Sequence, residues 1–394
     1  MARPRKSPNT PEQTRHARRF GVPAKPAPAQ FQKSHGFRSN QTFQPLPPPT
    51  GQYPYRFTLD QVLTADQMAA IDKAGELVFH VAGDTGGVKA PQSQQIVAMY
   101  MEQDATDISP APSFFYHLGD VVYYNGQLVD YYSQFFEPYA QYPLPILGIP
   151  GNHDGDPLDP VAEPSLTGFV EMFCSSQPHL PTEAQEVQRD TMTQPNVYFT
   201  LLTPFATIVG LYSNVPEGGR LDADQIAWLQ SELAAAPAGV ALIVAVHHPA
   251  YSADAHHGGS QYIGQVIDTA AAGAGRTPDL VLTGHVHNYQ RFTRSTNGGQ
   301  VPYVVAGAGG YWNLHYMAKD ANGNPLSTPW QTPDPGVTLE NYCEDRHGFL
   351  RLTVSAGTVK GDYLTVPRPQ ESWRSGPFDL HETFTLDLAT HTVS

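Results

Sequence analysis

Cysteine is almost missing from this chain: Cys174 and Cys343 are two of 394 residues and lie far apart. That scarcity excludes a disulfide framework and a Cys-rich zinc site, and makes free thiols the expectation. Long apolar runs are missing too. None approaches the roughly 18–20 residues that cross a bilayer, so no membrane span is expected. The basic start, MARPRKSPNTPEQTRHARRF, leads into Pro, Lys and Gln where an export signal would need a hydrophobic stretch, and a cytoplasmic location is the expectation. Positive charge is scarce after the first 40 positions. Residues 1–40 hold nine of the 23 Lys and Arg and a single acid, Glu12; the remainder has 14 basic against 36 acidic residues, about −22. A uniformly acidic body argues against nucleic acid as a main partner.

What is present divides the chain in two. Residues 1–50 contain ten prolines and no apolar periodicity, ending in PLPPPTG, and are expected to form a disordered basic Pro-rich tail. Residues 51–394 are expected to form one catalytic domain. There, Thr64-x-x-Gln67 is a capping-box signature for a helix to about Gly75. Apolar strands follow at 77–82, 113–118 and 144–149, with a helix near 92–104 and an aromatic helix near 130–140. The segment 155–195, rich in Pro, Glu and Gln, is expected to be a long insertion loop. VYFTLLTPFATIVGLYS gives two paired strands turning at Thr203-Pro204. Asp222-x-x-Gln225 caps a helix with Ile226, Leu229 and Leu233 on one face. VALIVAV and DLVLT are further buried strands, and after residue 300 strands and glycine turns dominate. Short apolar strands alternating with helices imply a layered α/β fold, two packed sheets flanked by helices.

The strands share one feature: each ends in polar residues. VAGDTGG places Asp84 after the first, with glycine at position 86 where a second ligand could point the same way. The others end at Asp120, at Asn152-His153, at His247-His248, and at His285 with His287. Ligand sites in open α/β sheets lie just outside the carboxyl ends of strands. Singly, each residue has a plain structural explanation, as a turn, a cap or a core histidine. Together they would be costly to bury without a counter-charge, which a pair of metal ions supplies. Imidazole with carboxylate suits Zn, Fe or Mn.

GDTG (83–86), GDVVY (119–123), GNHD (151–154), VAVH (244–247) and GHVH (284–287) resemble, in order, the motifs of the calcineurin-like metallophosphoesterases. The usual first motif has His two residues after Asp. Here Gly86 stands in that place and Tyr123 follows Asp120 by three, a trade similar to that of the purple acid phosphatase branch. The resemblance implies a four-layer α/β sandwich, two mixed β-sheets flanked by helices. It also implies a dinuclear hydrolase of phosphate monoesters, acid-phosphatase-like, with a metal-bridging hydroxide as nucleophile and a phosphorylated small molecule as substrate. By the same resemblance, Asp84, Tyr123 and His287 would hold Fe(III), Asp120 would bridge, and Asn152, His247 and His285 would hold Fe(II), Zn or Mn. Such ions sit roughly 3.5–4 Å apart. His153, beside Asn152, is the first candidate for protonating the leaving group; His256 and His257 would bind phosphate or share that role. Two alternatives stay open: the same site acting on phosphodiesters or nucleotides, and a non-catalytic binding module of the same fold. Gly307-Ala-Gly-Gly310 lacks a nucleotide fingerprint and is expected to be a tight turn.

Overall fold

The protein is represented by a computed structural model that describes residues 42–371 and 378–394. The expected tail therefore lies outside the described residues up to position 41. Its last part, 42–50, is hydrogen-bonded to the body: the Gln44 N–H donates to Asn214 Oδ1 at 2.8 Å and the Thr50 N–H to the Pro195 carbonyl at 3.1 Å.

In chain order the strands are β1 (Arg56–Thr58), β2 (Glu76–Ala82), β3 (Phe115–His117), β4 (Ile146–Gly148), β5 (Phe199–Leu202) and β6 (Ala206–Leu211). They continue with β7 (Ala241–Val246), β8 (Leu280–Thr283), β9 (Tyr289–Thr296), β10 (Gly299–Ala306) and β11 (Trp330–Gln331). The last are β12 (Val337–Cys343), β13 (Gly348–Ser355), β14 (Thr358–Thr365), β15 (Asp379–Asp387) and β16 (Thr392–Val393). They form two mixed sheets. One runs β1-β5-β6-β7-β8-β10-β9-β12-β11, the other β16-β15-β14-β13-β2-β3-β4. Within the second, β2, β3 and β4 are parallel neighbours; within the first, β6, β7 and β8 are.

Side-chain alternation explains the layering. Along β7, Ala241, Ile243 and Ala245 pack with Leu77, Phe79 and Val81 of β2 and with Leu350 and Leu352 of β13, in one cluster drawn from both sheets. Leu242, Val244 and Val246 point the other way, onto Leu229 and Leu233 of the helix Ala223–Ala235 and Ile263 and Ile267 of the helix Gln261–Ala274. Because side chains alternate with period two, a strand buried on both faces must be apolar throughout, as VALIVAV is. Each fully buried aliphatic side chain contributes about 1.5–3 kcal/mol. This layer offsets the cost of burying charge at the strand ends. The two-sheet sandwich expected from the sequence is the fold observed.

Local signals held where capping chemistry was explicit. The helix Ala65–Ala74 begins at the Thr64/Gln67 capping box and ends on Gly75 at φ 71°. Asp222 accepts from the Gln225 N–H at 2.7 Å. Three segments differ from expectation. The supposed insertion loop contains the helix Thr167–Phe173, with Phe169 and Phe173 buried; Leu166 precedes it in a left-handed conformation with no side-chain cap, so nothing announced it. The helix Gln261–Ala274 was not foreseen, although Ser260 caps it and Gly275 stops it. The aromatic helix is a 3₁₀ turn, Leu128–Asp130, followed by a single π-type turn, Tyr132–Phe136. Such turns occur often at functional sites, and one residue of this turn reaches the site. Both cysteines are free and buried.

Candidate metal centre

Because β2, β3 and β4 run parallel, as do β7 and β8, their carboxyl ends gather at one edge where the sheets meet. The Gly83 N–H donates to the Ala306 carbonyl of the other sheet at 2.9 Å, and the His285 N–H to Asp84 Oδ2 at 2.8 Å. Asp84, Asp120 and His285 all take left-handed backbone conformations, at φ 57°, 54° and 67°. Side chains other than glycine pay roughly 1–3 kcal/mol for sparsely populated backbone conformations, and such strain clusters at functional sites.

All seven residues named from the sequence as ligands meet here, in two groups. In the first, the Tyr123 hydroxyl lies 3.2 Å from Asp84 Oδ1 and 3.2 Å from His287 Nε2, and those two atoms are 3.5 Å apart. In the second, Asn152 Oδ1 is 3.1 Å from His247 Nε2 and 3.0 Å from His285 Nδ1, with Asp120 Oδ2 3.4 Å from His247 Nε2. Asp120, His247 and His285 offer donor atoms that all lie within 4.8 Å of one another. Ligands bound at about 2.0–2.2 Å and separated by tetrahedral or octahedral angles stand about 2.8–3.6 Å apart. The donor spacing fits ions, and the donor set, three imidazoles with oxygens, fits first-row transition metals.

Second partners fix which atoms face inward. His247 donates through Nδ1–H to the Leu118 carbonyl at 2.8 Å, and His287 through Nδ1–H to the Asn313 carbonyl at 2.9 Å. Each Nε2 is thereby turned toward the cluster. Burial pulls His287 down to about 3, so its ring is neutral. Burial also pulls on His247, but the charge and hydrogen bond of Asp120, then Asp84, outweigh it and raise this group to about 9. Burial lifts Asp84 to about 7. Burial again, then Asp84 and Asp120, hold the Tyr123 phenol well above its ordinary range. The protein alone therefore opposes a phenolate; a multivalent cation at the oxygen reverses that preference.

The position of Tyr123 explains Gly86. A Cβ built at residue 86 would overlap Gln134 Oε1 and come within 2.7 Å of Tyr123 Cδ2. The ring occupies the space that a ligand at 86 would need. Gln134, from the π-type turn, holds the Tyr123 backbone at both ends: the Tyr123 N–H donates to its Oε1 at 2.8 Å and its Nε2 donates to the Tyr123 carbonyl at 2.7 Å. Gly86→Ala is expected to displace this ring and destabilise the fold by about 1–3 kcal/mol, the usual range for overpacking. Denaturant unfolding measures it, and unchanged stability would mean the ring moves aside freely.

His153 lies beside this cluster, its ring 4.6 Å from that of Tyr123, with Nδ1–H donating to the Tyr124 carbonyl at 2.9 Å. His257 reaches the second group: its ring stands 5.1 Å from His285 and its Nδ1 is 3.1 Å from Glu217 Oε1. That hydrogen bond, foremost, raises the His257 imidazole above its ordinary value. His256 is exposed and joins its turn through a backbone N–H to Asp254 Oδ1 at 2.8 Å. His248 is buried behind the site, hydrogen-bonded to Ser213 Oγ at 2.7 Å and packed 4.3 Å from the His285 ring. The stretch Gly307–Gly310 comes close under Asp84, where the Tyr311 N–H donates to the Asp84 carbonyl at 2.8 Å.

Four neighbours were not singled out from sequence. Asp154, the last residue of GNHD, accepts from the backbone N–H groups of Gly151, Val121 and Val122 at 2.8–3.1 Å and so ties the second motif to the third. Its place in the motif was a usable signal. Gln134, Glu217 and His315 gave none. His315 is packed between His257 and His287, at centroid distances of 5.1 and 4.2 Å.

A two-sheet α/β sandwich with carboxylates, histidines, an asparagine and a tyrosine gathered at its strand ends defines the class of metal-dependent phosphoesterases. The chain belongs to the calcineurin-like phosphoesterase family, whose model matches residues 77–289. Within that family it is similar to the purple acid phosphatases. Purple acid phosphatase 15 of Arabidopsis thaliana is 32% identical over 130 residues, covering 31% of this chain and 23% of that protein. Purple acid phosphatase 18 of the same plant is 26% identical over 239 residues, 57% of this chain and 47% of that protein. The chain thus spans less than half the length of these relatives. Among solved structures, purple acid phosphatase PPD1 from yellow lupin (Lupinus luteus) seeds superposes with a TM-score of 0.54 at 16% identity, over 79% of this chain and 54% of that one. GAP50, described as the anchor in the inner membrane complex of Plasmodium, gives 0.51 at 15% identity, over 79% and 89%. These two share the fold. No helix among the described residues is long and apolar enough to cross a membrane.

Proposed function

We propose that this chain hydrolyses phosphate monoesters of small molecules at a dinuclear metal centre. Asp84, Tyr123 and His287 would hold Fe(III), Asn152, His247 and His285 would hold Fe(II), Zn or Mn, and Asp120 would serve both. The observation that carries this reading is the Tyr123 hydroxyl, equidistant at 3.2 Å from Asp84 Oδ1 and His287 Nε2, on a ring whose edge crowds the space beside Gly86. A phenolate is a hard anionic donor, which favours a trivalent ion. The similarity to purple acid phosphatases supports the monoester class.

Two bound ions would supply Lewis-acid charge to the phosphoryl oxygens and activate water as the nucleophile. The residues of the chain supply the rest. Leu118 and Asn313 carbonyls orient two histidines, and the His153 N–H fixes Asp120 through Oδ1 at 2.9 Å. His153 is anchored through Nδ1–H, and in its imidazolium form it would give the Nε2 proton to the departing alkoxide. His257 lies where it can bind a phosphoryl oxygen; exposed His256 would contribute only by a change of its turn.

Elemental analysis of purified protein never exposed to chelator tests the centre, and a panel of mono- and diesters tests the substrate class. Close to two metals per chain, iron among them, and faster monoester turnover are expected; at most one tightly bound metal would end the dinuclear reading. Iron-loaded protein is expected to absorb broadly in the visible through phenolate-to-iron charge transfer. Tyr123→Phe keeps the ring and removes only its oxygen, so it should lose the band and keep the fold. Colour surviving in that variant would remove Tyr123 from the ligand set.

A further inference from the structure

We propose that Glu217 is a positioning residue for the second metal site, accepting a hydrogen bond from His285 Nε2–H and so holding the ring with Nδ1 toward Asn152. This inference rests on the dinuclear reading above and adds a residue to it from outside the five strand-end motifs.

Three histidines belong to the candidate centre, His247, His285 and His287. A metal-binding imidazole uses one nitrogen for the ion, and its other N–H is almost always taken by a carboxylate, a carbonyl or water, which fixes tautomer and ring orientation. For His247 and His287 that partner is a backbone carbonyl, Leu118 or Asn313, at 2.8 and 2.9 Å. His285 is different. Its inward nitrogen is Nδ1, 3.0 Å from Asn152 Oδ1, so the nitrogen needing a partner is Nε2. That atom is buried and has no hydrogen-bond partner. A buried N–H left unpaired costs about 1–3 kcal/mol, which is a strong reason for a partner to close in.

Glu217 is that partner. Its Oε1 stands 3.6 Å from His285 Nε2, just beyond hydrogen-bond length, while the same atom is 3.1 Å from His257 Nδ1. The residue sits in the loop after β6, where the Gly219 N–H donates to the Pro216 carbonyl at 2.8 Å and the Arg220 N–H to the Ser213 carbonyl at 2.6 Å. Those bonds pin the loop on both sides of the side chain. The His285 side chain is only 9% exposed and that of Glu217 is 57% exposed, so the carboxylate is the member with room to shift the few tenths of an ångström required. A carboxylate also raises the basicity of the imidazole it holds, strengthening the other nitrogen as a ligand.

The test is metal affinity, measured by competition with a chelator on protein whose first site is filled. Glu217→Ala is expected to weaken the second ion roughly 10–100-fold, the usual effect of removing such a partner. Glu217→Gln keeps an oxygen acceptor and is expected to stay within about threefold of wild type on the same rationale. Wild-type affinity in Glu217→Ala would overturn the inference while leaving the dinuclear centre intact; so would equal losses in the Ala and Gln variants. A wild-type protein that binds at most one ion would overturn both readings together.

Discussion

Asp120→Asn is expected to empty both halves of the metal centre. The substitution keeps the side chain's shape and exchanges one carboxylate oxygen for an amide nitrogen that has no lone pair to give. In the wild type Oδ1 is held by the His153 N–H at 2.9 Å, and Oδ2 faces His247 Nε2 at 3.4 Å. One amide cannot keep the first contact and serve two ions. Charge matters as much as geometry. The histidines around Asp120, His247 first, hold its carboxyl well below the ordinary range against the opposing effect of burial, so it is an anion here. Replacing a buried anion with a neutral amide removes attraction for both ions at once. Elemental analysis should fall from close to two metals per chain to below one. Turnover should drop by more than the roughly 10²–10⁴ that loss of a general acid produces. Asn152→Ala is the contrast: its oxygen contacts only histidines of the second group, so the second ion should be lost and the first retained. Two metals kept tightly by Asp120→Asn would show that this carboxylate does not bridge.

His153→Ala should reduce turnover of alkyl phosphates by roughly 10²–10⁴ with metal content unchanged. The expectation follows from how the ring is held. Nδ1–H is committed to the Tyr124 carbonyl at 2.9 Å, and the ring rests against Tyr123, so in the imidazolium form Nε2–H is the group that can pass a proton. An alkoxide needs that proton; a nitrophenolate leaves largely without it. The loss should therefore be small for aryl esters with good leaving groups and large for alkyl esters. Equal losses on both would assign His153 to binding or orienting phosphate. The backbone N–H that supports Asp120 survives the substitution, which is why the metals should stay.

The amino-acid sequence by itself determined the parts whose signals are local. Short, nearly continuous apolar runs marked β2, β7 and β8 as buried strands, capping residues marked the helices that begin after Thr64 and Asp222, and polar residues at successive strand ends marked the candidate ligands. A strand delivers its last residue to the sheet edge whatever surrounds it, so a linear pattern was enough to assemble Asp84, Asp120, Asn152, His247 and His285. Tyr123 came from the resemblance and found its physical reason in space, because only the folded chain shows its ring filling the volume beside Gly86. Gln134, Glu217 and His315 were settled by tertiary structure alone. They sit on a π-type turn and two loops with no periodic or capping signal, and they reach the site by approaches between segments distant in sequence. The helix Thr167–Phe173 was hidden for a related reason, since buried contacts stabilise it and no cap announces it. Local chemistry fixed what each strand end carries; long-range packing decided which loops close around it and which nitrogen of His285 is left to be held.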